Sequence, residues 1–254
     1  MSDLILVVPC YNEAQRFAPE AYAQFLRAHP AVRFCFVDDG SRDETRALLE
    51  TFCARFPRAA QLVVLARHQG KAAAVRAGML HVLLMRHPNA NDYVGFWDAD
   101  LAAPLSESLR FAKTLDANPQ FDCVFGSRKT QPGARIERNF ARQAVSRVVT
   151  FFIRRYLGFN VRDSQCGAKI FRADVVLPLF AQHFVSHWLF DVELFKRMRQ
   201  PTRQVCELPL NEWRDVAGSK LKFYHGAKII FELVRIAFTY HTKKKVVAND
   251  RALV

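Results

Sequence analysis

The stretch YVGFWDAD at residues 93–100 joins a short apolar run to two carboxylates that are separated by one residue. The run is rich in aromatic residues and is bounded by polar ones, so it predicts a buried β-strand that ends at Trp97. Asp98 and Asp100 then follow the carboxyl end of that strand. Ligands of open α/β sheets bind at this edge, so the stretch predicts a site as well as a strand.

Similar apolar runs occur on both sides of this one, and helix-like stretches alternate with those in the first half of the chain. Such an alternation predicts the α/β class, with a mostly parallel central sheet and helices on both faces. The predicted strands are residues 4–8, 32–37, 62–65, 93–97, 123–126 and 205–210, and the predicted helices include 19–28, 43–56 and 71–85.

Two later segments, 139–157 and 221–241, have the apolar periodicity of amphipathic helices. The apolar arc of the second is wider than one packed face requires. We expect that helix to lie in the core, in a subunit contact or on a membrane surface.

Composition and charge limit the function classes. Half of the 254 residues are apolar, which excludes a disordered chain, and the formal net charge is +13. Residues 1–100 hold eleven basic and eleven acidic residues, so the whole excess lies after residue 100. This asymmetry predicts a second half that faces nucleic acid, a phosphate ligand or anionic lipid.

Targeting signals and cysteines indicate a compartment. No apolar run reaches the roughly 20 residues that a bilayer requires, and neither a basic leader nor a cleavage site precedes the first strand. The six cysteines include no C-x-x-C pair, so we interpret them as reduced, buried residues rather than a disulfide or metal framework. We therefore expect a cytoplasmic chain.

Asp98 and Asp100 offer the hard oxygen ligands that suit Mg²⁺ or Mn²⁺ bridging to a diphosphate. The same pair could instead serve turn formation and helix capping before Pro104. A second acidic turn, Asp38-Asp39, favours the ligand-binding interpretation, because such carboxylates can accept hydrogen bonds from a nucleobase or ribose.

The chain contains neither G-x-G-x-x-G nor G-x-x-x-x-G-K-[ST], the two common glycine-rich phosphate cradles. A nucleoside diphosphate bound to this sheet would therefore need its charge balanced by a metal and by cationic side chains. Lys71, Arg128 and the arginines after it are the candidates.

Five segments in sequence order resemble the motif series of family 2 glycosyltransferases: VPCYNE (8–13), VDDGSRD (37–43), GKAAAVRAG (70–78), DAD (98–100) and GSR (126–128). Three later segments resemble the dolichyl-phosphate glucosyltransferase branch more narrowly: DSQCGAK (163–169), WLFDVEL (188–194) and GSK (218–220).

The resemblance implies a nucleotide-diphospho-sugar transferase fold of the GT-A, Rossmann-like type. It implies metal-dependent transfer of a hexose, with inversion, from a UDP- or GDP-sugar to a polyprenyl phosphate. The two later segments 163–169 and 188–194 favour UDP-glucose, and Ala102 stands where the mannosyltransferase branch has a further polar ligand. The implied nucleotide-sugar contacts are Pro9, Tyr11, Glu13, Asp38, Asp39, Gly70, Lys71 and Asp98, and the implied metal ligands are Asp98 and Asp100, the latter also catalytic.

A lipid phosphate is already an anion and a nucleophile, so it needs orientation and charge balance more than a general base. Our candidates for holding it are Arg128, Arg138 and Arg142, with Gln165 and Lys220 as further contacts. A hydroxyl acceptor would instead require a base, for which Asp191 or Glu193 is available. A third alternative, a nucleic-acid-binding protein, has only the basic half in its favour.

We therefore divide the chain into a catalytic GT-A domain, residues 1–220, and an amphipathic helix with a basic tail, residues 221–254. We expect peripheral attachment at the cytoplasmic face of a membrane, no nucleic-acid partner, and a possible homo-oligomer.

Overall fold

The computed structural model describes residues 2–89, 91–128, 135–136, 162–187, 189–198, 204–214 and 231–240. Within them the chain forms, in order, β1 (Leu4–Cys10), α1 (Pro19–Ala28), β2 (Val32–Asp38), α2 (Thr45–Arg55), β3 (Ala60–Val64), α3 (Lys71–Arg86), β4 (Tyr93–Trp97), α4 (Ser106–Ala117), β5 (Phe121–Ser127), β6 (Arg135–Ile136), β7 (Ala168–Arg172), α5 (Ala173–Phe180), α6 (Phe190–Met198), β8 (Gln204–Pro209), β9 (Glu212–Trp213) and α7 (231–240).

The central sheet has seven strands in the order β3-β2-β1-β4-β7-β5-β8. Strands β1 to β4 pair in parallel, and so do β5 and β8. β7 runs antiparallel between β4 and β5. The predicted mostly parallel α/β sheet is confirmed. The hydrophobic pattern did not predict β7, because its five residues include Lys169 and Arg172 and do not form an apolar run.

The inner strands are buried on both faces, which explains their near-continuous apolar sequences. In β1, the side chains of Leu4, Leu6 and Val8 belong to the core formed with α1, α2 and α4. Ile5 and Val7 belong to the opposite core, formed with α3, α5 and α6. The predicted helices on both faces of the sheet are therefore present.

A third apolar cluster joins α6 and α7 to the end of β5, and it includes Phe125, Val192, Leu233 and Ile236. The predicted amphipathic helix is confirmed over residues 231–240, whereas 139–157 and the rest of 221–241 lie outside the described residues. In the described part of the chain, no helix combines the length and apolar character needed to span a bilayer.

The topology brings several loops to one edge of the sheet. The parallel strands end at this edge, and β7 begins there because it is antiparallel. Its first residue, Ala168, pairs with Trp97, the last residue of β4. The segments after β1, β2, β4 and β5 therefore meet the segment that precedes β7.

Candidate active site

Asp98 and Asp100 lie in a turn that follows β4 directly. Leu101 adopts a left-handed backbone conformation, with φ of 54°. The backbone N–H of Ala102 donates to Asp100 Oδ1 at 3.1 Å. A left-handed conformation in a residue other than glycine costs about 1–3 kcal/mol, and such residues occur often at functional sites. The surrounding structure therefore holds this turn in a strained shape.

Two buried aromatic side chains donate hydrogen bonds to backbone oxygens of the same turn. Trp97 donates through Nε1 to the backbone oxygen of Ala103 at 2.8 Å. The hydroxyl of Tyr22, on α1, donates to the backbone oxygen of Ala99 at 3.2 Å. The position of the two carboxylates is therefore set by β4 and α1 as well as by the turn itself.

The charges around this turn suit a cation. Burial, and after it the Asp98 charge, raises the pKa of Asp100. Lys71, the first residue of α3, places Nζ 2.5 Å from Asp98 Oδ1. The charges of Asp98 and Lys71 both act on Asp100. A divalent ion would stabilise two neighbouring carboxylates, and their hard oxygens suit Mg²⁺ or Mn²⁺. No group of three or more His, Cys, Asp or Glu side chains that could hold a metal occurs among the described residues.

The segment that precedes β7 forms one wall of this site. Gly167 packs against Asp98 so closely that a Cβ at position 167 would overlap the Asp98 carboxylate. Only glycine allows this approach without displacing the carboxylate.

Arg128 follows β5 and is fixed by Asp163. Its Nε and Nη2 donate to the two carboxylate oxygens of Asp163 at 2.7 and 2.8 Å, and its backbone N–H donates to Oδ2 at 2.9 Å. The guanidinium carbon lies 5.5 Å from the ring centroid of Trp213. This bidentate pair fixes the direction of the guanidinium group.

On the nucleotide side, Asp39 organises the loop that precedes α3. The backbone N–H groups of Gln69 and Gly70 each donate to its carboxylate at 2.8 Å. His68 Nδ1 lies 2.8 Å from Asp39 Oδ2, and the His68 ring stacks on Tyr11 with centroids 3.8 Å apart. Asp39 thus has loop-holding contacts besides the nucleotide contact that the sequence predicts for it.

The loops after β1 and β2 are also joined to each other. The backbone N–H of Glu13 donates to Thr45 Oγ1 at 2.7 Å, and Glu13 Oε1 accepts from Arg16 at 2.5 Å. Asp38 Oδ1 accepts from the Ser41 backbone N–H at 3.2 Å. Pro9 lies within β1, opposite Val37 of β2.

The acceptor side is described only in part. Gln165 lies in the segment before β7, and its Nε2 is buried with no hydrogen-bond acceptor among the described residues. Arg138, Arg142 and Lys220 lie outside the described residues. Of the cationic residues predicted to hold the acceptor phosphate, Arg128 is therefore the one that lies among the described residues.

The two candidate bases on α6 are both buried. Asp191 Oδ1 lies 2.7 Å from Lys169 Nζ. Glu193 accepts from the backbone N–H groups of Val185 and Ser186 at 2.9 and 2.5 Å, and from the Tyr240 hydroxyl at 3.2 Å. Among the described residues, Asp191 Oδ1 and both carboxylate oxygens of Glu193 are therefore already engaged by the fold.

Several residues that contact the predicted site residues were not predicted as part of the site. His68, Asp163 and Lys169 are among them. Asp163 and Lys169 fall in the segment DSQCGAK that resembles the glucosyltransferase branch, so the sequence carried a signal for them. The stacking of His68 on Tyr11 has no such signal, because it joins the loops of two strands.

Known proteins match this chain over most of its length. Residues 5–180 match the family described as glycosyl transferase family 2. A dolichyl-phosphate beta-glucosyltransferase of Trichomonas vaginalis is 30% identical over 246 residues, which cover 92% of this chain and 72% of that protein. The human dolichyl-phosphate beta-glucosyltransferase is 27% identical over 254 residues, which cover 94% and 76%.

Solved structures share the fold. Glucosyl-3-phosphoglycerate synthase from Mycobacterium tuberculosis, crystallised with Mn²⁺, UDP-glucose and phosphoglyceric acid, superimposes with a TM-score of 0.65 at 17% identity, covering 93% of this chain and 80% of that one. Its complex with Mg²⁺ and UDP gives a TM-score of 0.64 at 16% identity, covering 93% and 79%. The similarity confirms the predicted GT-A fold.

Proposed function

Since this chain belongs to glycosyl transferase family 2 and is therefore a glycosyltransferase, we propose that it transfers glucose from UDP-glucose to a polyprenyl phosphate, with inversion at the anomeric carbon. The observation that carries the proposal is the meeting of Asp98, Asp100, Lys71 and Arg128 at one edge of the sheet. The curated relatives, named dolichyl-phosphate beta-glucosyltransferases, support glucose as the sugar and a polyprenyl phosphate as the acceptor. The solved neighbour that contains UDP-glucose supports the nucleotide. The family match favours glycosyl transfer over the nucleic-acid-binding alternative.

Asp98 and Asp100 would hold Mg²⁺ or Mn²⁺ together with the donor diphosphate. A divalent ion there would offset the negative charge of the departing UDP. Lys71, whose Nζ lies 2.5 Å from Asp98, would contact the same diphosphate. The solved neighbours that contain Mn²⁺ or Mg²⁺ with UDP support this assignment.

The loops after β1, β2 and β3 would bind the nucleoside. Tyr11 and Asp38 lie at this edge, and Asp39 fixes the loop that carries Gly70. Pro9 and Glu13 complete the proposed set. Because hydrogen bonds already join these loops, the nucleoside site is largely preformed, which lowers the entropy cost of binding.

Arg128 would orient the acceptor phosphate, and Asp163 holds it in place for that role. Gln165, Arg138, Arg142 and Lys220 are the further proposed contacts. The phosphate oxygen attacks the anomeric carbon as an anion, so no residue has to remove a proton. The buried partners of Asp191 and Glu193 favour this acceptor over a hydroxyl.

For the whole chain we propose the division into a catalytic domain, residues 1–220, and a membrane-contact segment, residues 221–254, at the cytoplasmic face. Phe231, Val234 and Phe238 lie on one side of α7 and are 66%, 47% and 71% exposed. Leu233 and Ile236, on the other side, are buried. In the sequence, Lys243, Lys244 and Lys245 follow soon after residue 240. An apolar helix face beside basic residues is typical of attachment to an anionic membrane surface.

The direct test follows radiolabel from UDP-glucose into organic-extractable lipid, with polyprenyl phosphate and Mn²⁺. Wild-type protein should form the lipid product, and EDTA should stop it. Asp100→Ala should lower the rate by about 10³-fold or more, because charge on the leaving group is no longer balanced.

Glu50→Ala is the matched control, since Glu50 is an exposed carboxylate on α2 that pairs with Arg46. It should leave transfer unchanged. The proposal fails if wild-type protein makes no lipid product from UDP-glucose, or if folded Asp100→Ala protein still transfers glucose at the wild-type rate.

A further inference from the structure

A buried ion pair lies between β7 and α6, next to the candidate site. Lys169 Nζ is 2.7 Å from Asp191 Oδ1, and the two side chains are 1% and 6% exposed. A buried pair of this kind seldom stabilises a fold more than apolar residues of similar volume would, because both charges must leave water. Stabilisation of the fold is therefore a weak explanation for the presence of this ion pair.

The Lys169 ammonium makes further contacts that give it a specific place. It donates to the backbone oxygens of Cys166 and Ser164, at 2.6 and 3.3 Å. The ring centroids of Phe96 and Phe195 lie 5.3 and 5.8 Å from Nζ. Lys169 thus ties the segment 163–167, which precedes β7, to Asp191 on α6.

This same segment contacts both halves of the candidate site. At one end, the Asp163 carboxylate accepts three hydrogen bonds from Arg128. At the other end, Gly167 packs directly on Asp98. β7 separates β4 from β5 in the sheet, so Asp98 and Arg128 do not lie on neighbouring strands. The segment 163–167 therefore sets how far the Asp98 carboxylate lies from the Arg128 guanidinium.

We propose that Lys169 and Asp191 are positioning residues for glycosyl transfer. By holding the backbone of residues 164 and 166, the pair fixes the separation between the donor-phosphate site at Asp98 and the cation at Arg128. Asp191 acts through Lys169 and does not remove a proton from the acceptor. This inference rests on the proposed function, because it assumes that the two sites hold the two reacting groups.

Two single substitutions disturb the pair in different ways. Asp191→Asn leaves the Lys169 ammonium buried beside a neutral amide. Lys169→Met removes the N–H groups that reach the two backbone oxygens. A shift of about 1 Å in reacting groups can cost about 100-fold in rate, so each variant should lose about that much in kcat. The KM for UDP-glucose should change far less, because the nucleoside loops after β1 and β2 are not touched.

The double variant Lys169→Gln/Asp191→Asn distinguishes positioning from base catalysis. Its neutral amides remove the buried charge, and Gln can still donate to the segment. If the pair positions the segment, the double variant should have a kcat at least about tenfold above that of Asp191→Asn alone, which is a positive coupling. If Asp191 were a base, no substitution at position 169 would restore the rate that Asp191→Asn loses.

A second readout does not depend on catalysis. Amide hydrogen exchange in residues 163–167, followed by mass spectrometry, should be faster in Asp191→Asn than in wild type and should slow again in the double variant. Glu193→Gln is the matched control, since Glu193 is also a buried carboxylate on α6 but binds residues 185 and 186. It should leave exchange in 163–167 unchanged.

Hydrolysis of UDP-glucose, with water as the acceptor, is measured alongside transfer. If wild type hydrolyses UDP-glucose and shows the coupling but glucosylates no lipid phosphate, the acceptor assignment fails and the positioning role stands. The positioning role is overturned if the folded double variant is as slow as Asp191→Asn, if either single variant keeps the wild-type kcat, or if exchange in 163–167 does not respond. If the double variant does not fold, exchange in 163–167 decides the question, and a rate in Asp191→Asn equal to that in Glu193→Gln overturns the positioning role.

Discussion

The absence of a Cβ atom at Gly167 leaves room for the Asp98 carboxylate of the candidate metal site. The Gly167 Cα lies against the Asp98 carboxylate, and a Cβ would overlap it. Gly167→Ala should therefore displace Asp98 and lower both Mn²⁺ affinity and transfer rate, the latter by about 100-fold. Isothermal titration with Mn²⁺ in the presence of UDP measures the first effect, and label transfer measures the second.

The control is Gly78→Ala, at a glycine that packs on a different neighbour. A Cβ at position 78 would overlap methyl groups of Val7 and Val37, where α3 crosses the sheet. Overpacking of this kind costs about 1–3 kcal/mol of unfolding free energy. It should leave Mn²⁺ affinity near that of wild type. Equal losses of Mn²⁺ affinity in the two variants would show that Gly167 acts through general stability.

The site residues differ in how far sequence reasoning reaches them. Asp98 and Asp100 could be predicted, because their spacing and their place after an apolar strand are properties of one short stretch. The pairing of Arg128 with Asp163 could not, since 35 positions separate the two residues. The same holds for the stack of His68 on Tyr11, which depends on the relative placement of β1 and β3. Local patterns identify the groups, and tertiary contacts decide their partners.

At the scale of the element, helix α6 is held by Glu193. This carboxylate accepts hydrogen bonds from two backbone N–H groups and from Tyr240 of α7, so Glu193→Ala should cost about 3 kcal/mol of unfolding free energy. Burial raises the pKa of Glu193 above its usual value in the folded protein. The folded state therefore binds a proton more tightly than the unfolded chain does, and ionised Glu193 carries a cost that is relieved as pH falls through the raised pKa.

The sign of this linkage can be checked with Glu193→Gln, which does not titrate. The unfolding free energy of wild type, minus that of the Gln variant, should increase as pH is lowered from about 7 towards the unfolded-state pKa of about 4.3. Urea unfolding at several pH values measures it. If this difference in unfolding free energy becomes smaller as the pH is lowered, the hydrogen bonds lower the pKa of Glu193 more than burial raises it.

Helix α7 should provide the apolar part of membrane contact. The triple variant Phe231→Ser/Val234→Ser/Phe238→Ser should lose most flotation with vesicles that contain anionic lipid, because it removes the exposed apolar face. Its matched control is Leu84→Ser/Met85→Ser/Leu177→Ser, which removes three large exposed apolar side chains from α3 and α5. Equal flotation of the two triple variants would contradict the role of α7.

The elements also differ in how well the sequence predicts them. Strands β1, β2, β4 and β5 were predicted because their runs are apolar on both faces, as inner strands require. β7 was not, since Lys169 interrupts its run and is neutralised by Asp191, which lies 22 positions further along the chain. A buried charge is compatible with an inner strand only when a partner neutralises it. That partner is brought close by the tertiary fold, so the sequence of the strand does not reveal it.

For the whole molecule, the net charge of +13 lies entirely in residues 101–254. Each basic residue near an anionic surface contributes about 1 kcal/mol, and this attraction is screened as salt shortens the Debye length from about 30 Å at 0.01 M to about 10 Å at 0.1 M. Flotation with anionic vesicles should therefore decrease steadily with NaCl, and vesicles of neutral lipid should bind less at every concentration. Binding that ignores both salt and lipid charge would contradict an electrostatic contribution.

The antiparallel placement of β7 has a consequence for how this molecule is made. The four strands β3, β2, β1 and β4 are complete once residue 97 has left the ribosome, but the free side of β4 waits for residues 168–172 to arrive. Throughout that interval of translation, the backbone N–H and C=O groups on this edge of the apolar strand β4 lack hydrogen-bond partners from β7. Strand edges of this kind promote aggregation. Nascent chains stalled before residue 168 should therefore depend on chaperones, whereas those released after residue 172 can close the sheet.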